Sequence, residues 1–122
     1  MPGRILQAGI VQADALEVKH VAIGDEQVVA GQASATAGYR ELGTLGDAGI
    51  GVWEMSRGAM QDIEADEYFV VLAGCATVQI LETEGFGAQE LVLVPGSVVR
   101  LHAGMRTRWI VTETLRKIYF TL

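Results

Sequence analysis

Short apolar runs that end at glycine or at other turn residues dominate the second half of the chain. Strand-like runs cover residues 49–55, 68–72, 76–81, 91–94, 98–101, 108–112 and 117–122. They recur about every 8–12 residues, which is the spacing of a β-sandwich or β-barrel. Turns such as Pro95-Gly96 separate them, and no stretch keeps the apolar period of an amphipathic helix. We therefore predict an all-β barrel of at least eight strands, with little helix.

The first 46 residues are more weakly patterned. Residues 16–23 predict a strand with Val18, His20 and Ala22 on one face, because alternate residues of a strand share a face. Residues 30–38 are small and polar and predict a loop, and residues 39–42 predict a short strand. Since no linker or change of composition interrupts the chain, we expect one domain over residues 1–122, with its barrel core at about residues 47–121.

Composition limits the classes of function. Hydrophobic residues make up 50% of the 122 positions and charged residues 20%, which is typical of a globular chain. The net charge of -6 argues against nucleic acid and anionic membrane surfaces as partners. No apolar run reaches the ~18 residues of a membrane span. The apolar stretch after Arg4 is interrupted by Gln7 and is short for a secretory signal, so we expect a cytoplasmic protein.

Cysteine and histidine are too scarce for the common metal sites. The single cysteine, Cys75, excludes an internal disulfide and every multi-cysteine zinc site. The two histidines, His20 and His102, exclude a three-histidine metal centre within one chain. A nucleophilic thiol needs a neighbouring base or cation. None is evident beside Cys75, which we interpret as a buried structural residue.

Two segments carry the spacing of the two cupin motifs. Glu67 is followed after six residues by Gly74, as at the end of the first motif, and Gly96 is followed after five residues by His102-Ala103-Gly104 and then by Thr107, as in the second. Segments 51–54, 103–109 and 111–119 resemble the cupin family related to (S)-ureidoglycine aminohydrolase, so that the resemblance covers about residues 47–121. It implies a small jelly-roll barrel (a double-stranded β-helix) whose interior holds the functional site.

The chain departs from this family at the metal ligands. The positions of the family's histidines are occupied by Met60 and Asp62, or under the shorter spacing by Gln61 and Ile63, and by Thr107. Among the positions that the resemblance implies as ligands, only Glu67 is a strong donor, whereas a transition metal needs three or four converging donors. We therefore expect no metal and no cofactor, and the aminohydrolase activity is not carried over.

Glu67 is the main candidate for catalysis. It stands directly before a strand, and the resemblance together with the alternation of Glu67, Phe69 and Val71 points it into the barrel. A carboxylate there must be paired, hydrogen-bonded or protonated. The expected hydrogen-bond donor to Glu67 is Thr107. Its expected cationic partners are Arg100, Arg106 and Arg108.

The neighbouring carboxylates admit two interpretations. Asp62, Glu64 and Asp66 share one face by alternation and could form a paired-carboxylate site for acid–base chemistry. The alternative, which we favour, is a solvated loop or strand edge. For Asp66 in particular we expect a position on the solvent side.

The remaining candidates would bind a ligand inside the barrel. The predicted ligand-binding residues are Glu67, Phe69, His102, Arg106, Thr107 and Trp109. Each has a simpler interpretation. The aromatic side chains could fill a small barrel, Arg106 could pair with the acidic run, and His102 could be an exposed loop histidine. His20 has no evident partner, and we expect no role for it.

Three functions remain open. The leading interpretation is a metal-free barrel that binds a small polar ligand as a binding or accessory protein. The first alternative is an enzyme acting on a ureide-like or other small nitrogenous compound, with Glu67 as acid or base and Arg106 or Trp109 as positioning residues. The second is a structural or interaction module with a filled barrel. In each case we expect a homodimer, because small cupin barrels often pair through a sheet face or exchange N-terminal strands.

Overall fold

The computed structural model describes residues 6–122, which form antiparallel strands over most of their length. The strands are β1 (Val21–Ala22), β2 (Thr36–Leu45), β3 (Ala48–Met55), β4 (Gly58–Ile63), β5 (Glu67–Ile80), β6 (Gln89–Leu93), β7 (Val98–Leu101) and β8 (Arg106–Thr121). One short 3-10 turn, Asp25–Gln27, follows β1. These eight strands confirm the prediction of an all-β fold. No helix within residues 6–122 could span a membrane. Residues 1–5, on which part of the localisation argument rests, lie outside the described residues.

The two longest strands organise the barrel. β5 and β8 pair over their whole lengths, from Glu67 opposite Thr121 to Ile80 opposite Thr107. The C-terminal half of β8 also pairs with β3, and its N-terminal half pairs with β4. In the same way, the first half of β5 pairs with β7 and the second half with β6. Each long strand therefore belongs to two sheet layers, as in a jelly roll.

A bulge in the middle of β5 lets the strand pass from one layer to the other. The register against β8 shifts between Val71 and Ala76, and Gly74 lies there with φ +86°. A Cβ at this position would collide with the carbonyl oxygen of Thr114, so only glycine fits. The bulge also changes which residues face inward. Glu67, Phe69 and Val71 face the interior before it, and Ala76, Val78 and Ile80 do so after it.

The interior between the layers is packed at one end. Met55, Phe69 and Leu115 from one layer contact a cluster that includes Val78 and Trp109 from the other, and all five side chains are essentially inaccessible to solvent. Burial of apolar surface on this scale is the main favourable term in folding. The packed end fixes the position of both long strands, and with them the polar side chains of the other end.

The strands predicted within residues 47–122 lie where the structure has strands, but the number of strands differs. The predicted strands 68–72 and 76–81 are the two halves of β5, and 108–112 and 117–122 belong to β8. Strand β4 was not predicted, because its residues 58–63 include the polar side chains Gln61 and Asp62. These two residues contribute little apolar alternation to the pattern. Pairing with β8 nevertheless holds the segment as a strand.

The N-terminal third differs most from the prediction. Only Val21–Ala22 of the predicted strand 16–23 pairs in the sheet, and β2 begins at Thr36, inside the predicted loop. The segment before β1 instead packs against β2 as irregular chain. Its closest approach is at Gly38, where a Cβ would collide with the backbone oxygen of Lys19. Because Gly38 has no side chain, the two segments can approach each other here. Strand propensity does not predict such a contact.

Candidate functional site

The polar end of the barrel contains a cavity of about 710 Å³. One wall comes from residues 19–23 and from β2, and the opposite wall comes from β3, β4, β5 and β8. Aromatic side chains and charged groups share the lining, among them Trp53, Trp109, Glu64, Glu67 and Lys117. A cavity of this size and mixed lining is typical of small-molecule sites.

Alternation along β8 brings its functional side chains to the cavity side. Thr107 and Trp109 face inward, and the same parity continues to Lys117 and Tyr119 at the other end of the strand. Lys117 was not predicted as a site residue. The signal that would have found it is the unbroken parity of a single strand from Thr107 to Lys117.

Lys117 is held in a box of aromatic rings. Its Nζ lies 4.3 Å from the centre of the Phe69 ring, 4.7 Å from that of Trp53 and 4.8 Å from that of Trp109. The residue is only 5% exposed. Aromatic faces attract a cation, and the attraction strengthens when the cation is removed from water. The rings therefore stabilise a positive charge on this nitrogen.

Glu67 supplies the counter-charge to Lys117. The Lys117 Nζ donates to Glu67 Oε2 at 3.1 Å and to Oε1 at 3.3 Å. The structure thus directs Glu67 into the barrel, but the expectation of an arginine partner was wrong. Arg100 instead donates to Asp66 at 3.1 Å and lies over the ring of Tyr68 at 5.4 Å.

The other two expected partners of Glu67 are elsewhere as well. Arg106 is exposed and Arg108 is half-buried, and neither lines the cavity. They alternate with Thr107 and Trp109 on β8 and therefore lie on the opposite face of the strand.

Glu64 is the clearest correction to the predicted solvated run. It lines the cavity beyond the end of β4, where the Thr107 hydroxyl donates to its Oε2 at 2.6 Å and Trp109 Nε1 donates to the same oxygen at 3.1 Å. Burial raises the pKa of the Glu64 carboxyl and outweighs these hydrogen bonds and the nearby charge of Lys117. Its other oxygen has no hydrogen bond among the described residues.

Asp62 and Asp66 lie on opposite sides of the wall. Asp62 lines the cavity, and burial raises the pKa of its carboxyl despite the hydrogen bond that the Ile63 amide donates. Asp66 faces outward, where the Ala103 amide and then Arg100 donate to it and lower its pKa. The alternation that grouped Asp62, Glu64 and Asp66 on one face therefore does not extend to Asp66, because β4 ends at Ile63.

Of the six predicted ligand-binding residues, Glu67 and Trp109 line the cavity. Phe69 and Thr107 are buried outside its lining, Phe69 against Lys117 and Thr107 against Glu64. His102 is exposed and stacks on Phe86, with ring centres 6.5 Å apart. Like Arg106, it does not line the cavity. His102 belongs to the turn that connects β7 to β8, and Arg106 is the first residue of β8. Cys75 is half-buried beside the β5 bulge.

A second charged network lies on the outer side of β3 and β8 and includes His20. His20 Nε2 donates to Glu54 at 2.7 Å, and its Nδ1 lies 2.8 Å from the Thr36 hydroxyl. Arg116 Nε donates to the other oxygen of Glu54 at 2.8 Å, and its guanidinium also donates to the carbonyl of Ala13 at 3.0 Å. Burial alone would raise the pKa of Glu54, but Arg116 and His20 together lower it. The expectation that His20 has no partner was wrong.

The family model that matches this chain is the EutQ-like cupin domain, over residues 42–119. The match spans more than half of the sequence and contains Glu64, Glu67, Trp109 and Lys117 of the cavity wall. The chain belongs to the EutQ-like cupin family. The cupin assignment made from sequence is confirmed, whereas the closer relation to ureidoglycine aminohydrolase is not. No curated protein matches the chain in sequence.

Solved cupin structures share the fold of this EutQ-like cupin. EutQ of Clostridium difficile has 22% identity and a TM-score of 0.57, over 71% of this chain and 62% of that protein. The chain thus covers less than two thirds of that relative. A protein of unknown function from Rhizobium leguminosarum has 23% identity and a TM-score of 0.58, over 70% of this chain and 79% of that protein. At these identities the similarity shows the fold alone.

A metal of the usual cupin kind does not fit the residues of this cavity. A structural neighbour, HppE, binds Fe(II). It has 12% identity and a TM-score of 0.61, over 94% of this chain and 60% of that protein. Here, no group of three or more histidine, cysteine or carboxylate residues within residues 6–122 could hold a metal ion. Both oxygens of Glu67 accept from Lys117, and Thr107 stands at the position of the second motif's histidine. The Lys117 ammonium supplies positive charge in this interior.

Proposed function

We propose that this EutQ-like cupin binds a small polar ligand in the barrel cavity, without a metal. The observation that supports the proposal most strongly is the cavity itself, about 710 Å³ in volume, which has two carboxyl groups and a buried ion pair on its wall. Glu64 has one oxygen without a hydrogen bond among the described residues, and carboxyl oxygens are strong acceptors. A ligand with a hydrogen-bond donor could bind to this oxygen.

The cavity favours a binding role over the alternative of a filled barrel. At the packed end the interior is apolar and closed, as at Met55, Val78 and Leu115. At the polar end the interior contains space and charged groups that contribute little to a core. A barrel that served only as a structural module would gain stability from apolar side chains at these positions.

Intrinsic fluorescence can test this proposal, because the two tryptophans of the chain, Trp53 and Trp109, both line the cavity. We would titrate the protein with butylammonium, 1-butanol, acetamide and butyrate and would compare Glu67→Gln with Asp66→Asn. Glu67 faces the cavity and its neighbour Asp66 faces solvent, so the two variants are matched in chemistry and in sequence position.

We expect a saturable change in fluorescence with at least one probe, weakened by Glu67→Gln and unaffected by Asp66→Asn. Equal effects of the two substitutions would contradict the proposal, and so would the absence of a saturable response to every probe.

The expected homodimer belongs to the same proposal. Tyr68 and Phe120 lie opposite each other on the outer face of the sheet, 54% and 38% exposed, and Val98 nearby is 66% exposed. An interface of standard size would bury about 800 Å² per partner. Light scattering at micromolar concentration should give twice the chain mass, and a mass of 13.1 kDa would refute the dimer.

A further inference from the structure

We propose that the Lys117 amine forms an imine with a small neutral or cationic aldehyde or ketone in the cavity. This inference rests on the proposed ligand-binding function and names the class of compound that enters. It uses a nucleophilic side chain that lies between three aromatic rings and the carboxylate of Glu67.

The distribution of lysine in the chain is the first supporting observation. The protein has seven arginines but only two lysines, Lys19 and Lys117, and both lysines line the cavity. Lysine differs from arginine in that it can lose its proton and act as a nucleophile. Both lysine amines of this chain therefore lie on the cavity wall.

The environment of Lys117 provides a base for the ammonium and stabilises the product. Glu67 accepts hydrogen bonds from Nζ at 3.1 and 3.3 Å, which is close enough to take a proton from the ammonium. A protonated imine carries the same positive charge on the same nitrogen. The aromatic box and the Glu67 carboxylate would therefore stabilise the product as they stabilise the lysine.

Glu64 is placed to assist the loss of water. It is connected to the Lys117 site through Trp109, whose ring faces Nζ at 4.8 Å and whose Nε1 donates to Glu64 Oε2 at 3.1 Å. Burial favours the protonated form of this carboxyl. Its unbonded oxygen is the group that can give a proton to the departing oxygen.

The chemical steps balance without an oxidant or a reductant. Glu67 takes a proton from the ammonium, the Nζ lone pair forms a bond to the carbonyl carbon, and the carbon–oxygen π bond breaks. The oxygen takes a proton from Glu64, giving a carbinolamine. The Glu64 carboxylate takes a further proton from the nitrogen, the hydroxyl takes the proton held by Glu67 and leaves as water, and the nitrogen lone pair forms the carbon–nitrogen double bond. Overall, an ammonium and a carbonyl compound give a protonated imine and one water, and the carboxyl groups regain their starting protons.

The charge of the wall limits the carbonyl compound. Four acidic residues line the cavity against two lysines, and the acidic residues are Glu41, Asp62, Glu64 and Glu67. An anionic carbonyl compound would meet a net negative wall, whereas a neutral or cationic one would not. Propionaldehyde and glyoxylate are therefore a suitable pair of neutral and anionic probes.

Reductive trapping tests the inference directly. The full chain would be incubated with propionaldehyde and sodium cyanoborohydride, and peptide mapping would measure the adducts at Lys117, at Lys19 and at the N-terminal amine. We expect about tenfold or more adduct at Lys117 than at exposed Lys19, because a positioned base activates only the former. With glyoxylate, the ratio of Lys117 adduct to Lys19 adduct should fall.

Matched variants connect the reaction to the site. Lys117→Arg keeps the ion pair with Glu67 but removes the nucleophile, so labelling at position 117 should vanish while the thermal melt shows a folded protein. Asp66→Asn, on the solvent side, should leave the Lys117 adduct unchanged, and Glu67→Gln should lower its rate by about tenfold or more.

Two results would overturn the inference: Lys117 labelled no faster than Lys19, or labelling of Lys117 that is insensitive to Glu67→Gln. Tryptophan fluorescence, recorded with propionaldehyde alone and with the earlier probes, separates this failure from that of the proposed function. A saturable fluorescence change without a Lys117 adduct would leave the binding role intact and remove the imine. Absence of both signals would remove both proposals.

Discussion

Arg116 and Lys117 are neighbours on β8, and each forms a buried ion pair with a glutamate on an adjacent strand. Arg116 donates to Glu54 on the outer side of the sheet at 2.8 Å, and Lys117 donates to Glu67 on the inner side at 3.1 Å. The outer pair is completed by His20 and by the carbonyl of Ala13, so that protein groups occupy its donors and acceptors. The inner pair lies on the wall of a cavity instead.

The difference between the two pairs separates a structural role from a chemical one. Burial and a close counter-charge are common to both and therefore do not identify a functional site. The outer pair fastens the segment before β1 to the barrel. The inner pair lies beside free space, aromatic faces and the unbonded oxygen of Glu64, which are the conditions for contact with a ligand. The predictions below test this division of roles.

The largest effect on stability should come from removing the inner cation. Lys117→Met leaves Glu67 buried without a partner, and we expect the free energy of unfolding at pH 7 to fall by about 3 kcal/mol. Adding Glu67→Gln to this variant should restore most of the loss, because no charge then remains buried. Denaturant unfolding measures both. A double variant no more stable than Lys117→Met would show that the pair is not coupled.

Removal of the outer cation should have a smaller and more local effect. Arg116→Met removes charge-assisted hydrogen bonds to Glu54 and Ala13, for an expected loss of about 2 kcal/mol. The amides of Ala15 and Leu16, which donate to Gln12, should also exchange faster with solvent. Lys117→Met serves as the control, since it should leave these amides unchanged at equal global stability. Faster exchange in both variants would contradict the division of roles.

The smallest effects concern pH, and the two sides should respond with opposite sign. The folded state lowers the pKa of Glu54, so its contribution is present above the unfolded value of about 4.3 and is lost as pH falls through the folded pKa. The folded state raises the pKa of Glu64, so its contribution is present below about 4.3 and is lost as pH rises through the folded pKa.

Two substitutions isolate these contributions. Relative to the unsubstituted protein, Glu54→Gln should become less stable as pH rises from 3 to 7, and Glu64→Gln should become more stable. Urea unfolding across this range measures the two slopes. Slopes of the same sign would mean that at least one carboxyl lies in a different environment from the one described.

The local sequence pattern was sufficient to predict the barrel and the inward direction of one site residue, Glu67. The alternation of Glu67, Phe69 and Val71 places the carboxylate inward, and the bulge at Gly74 marks where that parity ends. Lys117 was missed because residues 108–112 and 117–122 were treated as separate strands. Its ion pair joins residues fifty positions apart. That contact depends on the register of β5 against β8, which no local pattern specifies.

The predicted solvated acidic run failed for a related physical reason. Asp62 and Glu64 look like surface residues because buried carboxyl groups are rare. Carboxyl groups on a cavity wall are an exception, since they keep access to ligand or water. Strand β4 was not predicted for the same reason: its inward-facing residues include Met60 and Asp62 rather than apolar residues alone.

The most direct test of the central claim is an NMR measurement of the two lysines. In protein labelled with ¹³C and ¹⁵N at lysine, the side chains of Lys19 and Lys117 give separate signals. We expect the terminal protons of Lys117 to be shifted strongly upfield by the rings of Phe69, Trp53 and Trp109, and to move further when a cavity probe is added. The signals of Lys19 should remain near those of an exposed lysine. Two lysines with the same unshifted signals would contradict the account, because Lys117 would then lie outside the aromatic box.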